Sequence, residues 1–119
     1  MKRVPSMTLT TEELGEIPKI GAARLQALLT DDAFGKFAVL SASDDLFMQA
    51  GNDWQPGKAC AAFLRAHDSD PWVLEYREGS DHFRAVGHVT LAQIREAFAS
   101  YLAGNEKWRS AFEWTAVEA

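Results

Sequence analysis

Glu75, Arg77, His82 and Arg84 bring a carboxylate, two guanidinium groups and an imidazole into one short segment. Arginine forks suit carboxylates and phosphates, and an imidazole beside a carboxylate is suited to holding a proton. Their spacing puts all four on one side of a β-hairpin. Trp72-Val73-Leu74-Glu75-Tyr76-Arg77 and His82-Phe83-Arg84-Ala85-Val86 alternate in polarity on either side of the turn-rich Glu78-Gly79-Ser80-Asp81. With Glu78 to Asp81 as the loop, Arg77 pairs with His82, Tyr76 with Phe83, Glu75 with Arg84 and Leu74 with Ala85. Trp72, Leu74, Tyr76, Phe83 and Ala85 then form the apolar face, and a slip of one residue would exchange the two faces. The charged face fits a recognition surface. It also fits a solvated face whose cross-strand ion pairs contribute about 0.2–1 kcal/mol each.

Other reactive side chains lack partners at catalytic spacing. Cys60 and His67 are two helical turns apart, about 10 Å, too far for direct proton transfer, so Cys60 is expected to be a small core residue and His67 a packed one. His82 and His88 have no third ligand at zinc spacing, and neither Cys-x-x-Cys nor His-Glu-x-x-His occurs, so no metal or cofactor is expected. Asp31/Asp32, Asp44/Asp45 and Asp68/Asp70 fall in turns, where aspartate bonds to the local backbone. Glu78-Gly79-Ser80 is a hairpin turn and not a phosphate loop. Among the four tryptophans, Trp72 and Trp108 read as core. Trp54, between Gly51 and Pro56-Gly57, is the expected exposed aromatic, with covering the core edge as its alternative role.

The elements that must position these groups are legible in outline. Residues 1–20 read as a lead-in segment with a capping box at Thr10 and Glu13, and residues 21–114 as the core of a single domain spanning 1–119. Ala22, Leu25, Leu28 and Leu29 share a helical face that ends at Thr30-Asp31-Asp32. Phe37–Ser41 and Leu46–Ala50 around Ala42-Ser43-Asp44-Asp45 form a first hairpin. Cys60, Phe63, Leu64 and His67 mark a short amphipathic helix stopped by Asp68-Ser69-Asp70-Pro71. Thr90 and Gln93 form a capping box for a helix with Leu91, Ile94, Phe98, Tyr101 and Leu102 on one stripe, closed at Gly104. Asn105 then caps a further short helix carrying Trp108 and Phe112. These elements predict an α+β domain: a mostly antiparallel sheet of four strands in two hairpins, packed on one face by the Thr90–Leu102 helix, with the Leu25 helix nearby.

The chain has 119 residues, 47% hydrophobic and 24% charged, enough to form one core without disulfides, and its single Cys60 cannot make an intramolecular one. A net charge of −5 argues against nucleic acid, whose binding depends on Lys and Arg, and favours a basic protein partner. The basic start Met1-Lys2-Arg3-Val4-Pro5 is followed by no apolar segment, and no run approaches the roughly 20 residues that span a bilayer. A cytoplasmic, membrane-free setting is therefore expected.

Trp72-Val73-Leu74-Glu75-Tyr76-Arg77-Glu78-Gly79, with His82-Phe83-Arg84-Ala85, the capped helix from Thr90 and the closing Trp108-x-x-x-Phe112-x-Trp114, resembles a group of small uncharacterised bacterial α+β proteins. Some of that group are regarded as candidate immunity proteins, which bind and neutralise a toxin made by the same cell. The resemblance covers about residues 37 to 114 and implies a fold, with no catalytic residue; Gly51 to Pro71 is longer than its pattern. The expected function is a non-enzymatic binding module that occludes a toxin-like partner, with Trp54, Glu75, Arg77, His82 and Arg84 as its surface. Two alternatives stand beside it: a small anion-binding protein or minor enzyme using Arg77, His82 and Arg84, and a self-associating subunit pairing through an exposed strand or the Trp-rich C-terminal segment.

Overall fold

Met7, Leu9 and Thr11 are buried while Thr8 and Thr10 between them are partly exposed, and this two-residue period makes a strand. The computed structural model describes residues 6–28 and 35–117. In it the lead-in segment is a hairpin of β1 (Thr8–Thr11) and β2 (Gly15–Ile17). The expected capping box at Thr10 and Glu13 does not form. Instead the Thr11 hydroxyl accepts the Leu14 N–H at 2.9 Å inside the turn, and β-branched threonines favour the pleated chain.

The remaining elements are α1 (Ala22–Leu28), β3 (Phe37–Ser43), β4 (Leu46–Asn52), α2 (Lys58–His67), β5 (Trp72–Glu78), β6 (Asp81–Ala85), α3 (Leu91–Ala103), α4 (Lys107–Ser110) and β7 (Trp114–Ala116). Among the described residues the sheet therefore has seven strands, not four, in the order β2-β1-β3-β4-β5-β6-β7, and every neighbouring pair is antiparallel. The two expected hairpins are its centre. Glu75 pairs with Arg84, Tyr76 with Phe83 and Arg77 with His82. The three additional strands are only three or four residues long, too short for their alternation to stand out from a turn-rich background.

One sheet face carries the core. Leu9, Leu40, Met48, Leu74 and Ala85 are buried there against Ile94, Ala97 and Phe98 of α3. Each large apolar side chain so buried stabilises the fold by about 1.5–3 kcal/mol. α3 begins as its sequence predicts: the Thr90 hydroxyl accepts from Gln93 N, the Gln93 side chain accepts from Thr90 N, and Gly104 closes the helix with φ 80°. α1 packs against α3 through the fully buried Leu25. The expected continuation of α1 through Leu29, and the turn at Asp31/Asp32, lie outside the described residues. Asn105 accepts from Ser100 Oγ and from Lys107 N at 3.1 Å, which starts α4.

α2 departs from expectation in its packing. The helix forms, with Asp68 in the left-handed conformation at its end, yet none of its residues is buried. Cys60 is half-buried and lies outside the core, its sulfur accepting from Gln55 N at 3.3 Å. Among the described residues, no helix is long and apolar enough to cross a membrane.

Candidate functional site

The second face of the sheet carries the side chains that alternate with the core. Pairing across six strands sets Thr10, Val39, Gln49, Glu75, Arg84 and Thr115 in one row, and Ser41, Phe47, Arg77 and His82 in the next. Each row is a line of cross-strand neighbours about 5 Å apart.

Glu75 organises the first row. Its Oε1 accepts from His82 Nε2 at 2.6 Å and from Gln49 Nε2 at 3.2 Å, and its Oε2 accepts from Arg84 Nε at 3.1 Å and Nη2 at 2.9 Å. The carboxylate is only 12% exposed, whereas Arg84 is 50% exposed. The face therefore buries its anion and displays a cation. A carboxylate holding four donors has its acceptor positions filled, so it serves as an anchor for its neighbours. The His82 ring also meets the edge of Phe47 at 6.2 Å.

Arg77 shares the face but turns back to its own hairpin, its Nε donating to Gly79 O at 2.8 Å. Glu75, His82 and Arg84 are thus brought together, with Arg77 beside them. Trp54 is 40% exposed but follows β4, at the end of the strands where Asn52 pairs with Trp72. Five residues of strand, roughly 17 Å, separate that end from Arg77. Trp54 belongs to a different patch.

Gln49 and Gly51 are members of the site that the sequence reading missed. Both face the same side as Glu75, and Gly51 leaves a depression of about 240 Å³ walled by Phe37, Val39, Val73, Gln49 and Glu75. Pairing of β4 with β5 brings Gln49 to Glu75 across 26 residues, a contact with no local sequence signal. A second groove, about 840 Å³, runs along the outer side of α3 between Gln26 and Phe112.

Beneath the opposite end of the hairpin, Arg109 donates to Glu78 and Glu106 at 2.7 Å each and to the Tyr76 hydroxyl at 3.2 Å, lying 4.5 Å over the Trp108 ring. Those two carboxylates raise its already high proton affinity further. Tyr76, Trp108 and Trp114 pack edge to face around it. This cluster ties the C-terminal segment to β5 and holds the hairpin at the turn end. At the other end, His88 Nε2 donates to Asp53 Oδ2 at 2.8 Å, and Phe63 of α2 stands edge-on to the His88 ring. Among the described residues, no group of three or more His, Cys, Asp or Glu side chains is placed to hold a metal ion. Comparison of the chain with protein-family models, curated proteins and solved structures finds no match.

Proposed function

We propose that the chain is a non-enzymatic protein-binding module that occludes a partner with the open face of its sheet. The observation that carries this reading is the composition of that face: the exposed Arg84 guanidinium fixed by the largely covered Glu75 carboxylate, beside the half-buried apolar side chains of Val39, Phe47 and Val73. Ordered arginines beside apolar surface are the side-chain mixture of binding hot spots, and a preformed network lowers the entropy lost on docking. The four donors on Glu75 count against a general base there. Neither depression described above takes a wall from Arg77, His82 or Arg84, which counts against a small-anion site on those three residues.

The resemblance to candidate immunity proteins makes a toxin-like partner the specific form of this proposal. The net charge of −5 draws a basic protein from a distance. The test is affinity capture of the tagged full chain from its native cell lysate at low and high salt. A stoichiometric partner whose retention falls with Arg77→Ala and Arg84→Ala is the expected result. Recovery of the chain alone, or retention indifferent to both replacements, overturns the proposal.

A further inference from the structure

We infer that the depression at Gly51 is an anchor site for one branched aliphatic side chain of a protein partner, with a carboxylate from the same partner segment held by Arg84. This rests on the protein-binding reading and names the chemistry of its contact.

The size and walls of the depression select the occupant. Its 240 Å³ is the scale of a side chain, and Phe37, Val39 and Val73 give it apolar sides. Phe37 is 41% exposed, so this rim stands in water until something covers it. The floor is open because residue 51 has no side chain: a Cβ built on Gly51 meets nothing within 4 Å, and its φ lies outside the left-handed region. The backbone at this position therefore does not demand glycine; any side chain here would fill the hollow.

Charge settles the second half. Glu75 forms the polar wall, but its carboxylate is covered and neutralised by Arg84, whose Nη1 has no partner among the described residues. Arg84 lies beside the depression, on the Glu75 carboxylate and not in its lining, and offers a partner a guanidinium edge whose complement is a carboxylate. Long-range attraction of a basic protein and local capture of one carboxylate are compatible. The first acts across the whole molecule, while the second is made in contact, inside the screening length of about 8–10 Å.

N-acetyl-leucine carries both groups in one small molecule and is the probe. Titrated into the full chain and followed by NMR, it should shift the methyl signals of Val39 and Val73 and the Gly51 amide in a saturable way in the millimolar range. N-acetyl-alanine, lacking the branched group, and N-acetyl-leucinamide, lacking the carboxylate, should each bind roughly tenfold more weakly. Gly51→Leu, which fills the hollow, should lose the response while keeping the melting temperature; Gly51→Ala fills it less and should retain part. No saturable shift at these residues, or an unchanged response in Gly51→Leu, overturns the anchor. Equal binding of acid and amide overturns the role of Arg84. In lysate capture, a partner held equally by wild type and Gly51→Leu overturns the anchor but leaves the protein-binding reading intact. Recovery of no partner by either overturns that reading, and with it the protein nature of the occupant.

Discussion

Glu75 and Tyr101 illustrate two opposite ways a polar group is kept under cover. The Glu75 carboxylate holds four donors from the two strands that flank its own. Glu75→Gln replaces one acceptor oxygen by a donor that faces other donors, and should lower stability by about 1–3 kcal/mol. Urea unfolding with an unchanged slope would show it. The Tyr101 hydroxyl is buried and has no hydrogen-bond partner among the described residues. Burial, with the Glu78 charge adding to it, pushes the phenol up to about 12 from 10.0. The folded state thus keeps this proton when the unfolded chain gives it up. The stability concerned is fully present below pH 10 and is lost progressively as pH rises towards 12. Tyr101→Phe should be neutral within about 1 kcal/mol at neutral pH and should soften the alkaline loss in a melting series. A residue of that loss will remain, because burial raises Tyr76 as well.

At the scale of elements, β1 and α2 exchanged the roles their sequences suggest. Leu9 in β1 is fully buried, and Leu9→Ala should cost about 2–5 kcal/mol. Leu64 in α2 is an apolar residue on an amphipathic helix, yet it is exposed, and Leu64→Ala should cost within about 0.5 kcal/mol. Denaturation of the two variants side by side measures the contrast. The reason lies in what each pattern encodes. The helical period of Cys60, Phe63, Leu64 and His67 specifies a helix but not the surface that covers it. The alternation of Met7, Leu9 and Thr11 was present in the sequence, but four residues beside a plausible helix cap carry too little signal to outweigh it. The central hairpin was legible down to its register, because Leu74, Tyr76 and Phe83 would face water after any odd slip. The α3 cap was legible because its bonds run within four residues. The Gln49–Glu75 bond and the Gly51 hollow were not, since both follow from pairing of β4 with β5 across the α2 excursion.

For the whole molecule, that excursion is a closed appendage. Asn52 pairs with Trp72, Asp53 N donates to Pro71 O at 2.9 Å, and the Asn52 amide donates to Asp70 at 2.9 Å, so the chain leaves and rejoins the sheet at one point. Replacing residues 55–67 by a short Gly/Ser linker should preserve near-UV circular dichroism and shift the melting temperature by only a few degrees, since loop-closure cost changes slowly with length. Loss of cooperative melting would show that α2 supports the core after all. The sheet order has a kinetic consequence. Three of the six ladders, β1–β2, β3–β4 and β5–β6, close over tight turns, whereas β4–β5, β6–β7 and β1–β3 each enclose a longer segment of chain. The three tight hairpins can close first, and the β4–β5, β6–β7 and β1–β3 ladders, which must enclose α2, α3 with α4, and β2 with α1, are the later steps. Stopped-flow refolding should accordingly fall in the millisecond-to-second range of chains with much non-local strand pairing, and Leu9→Ala, in one of the late ladders, should act mainly on unfolding.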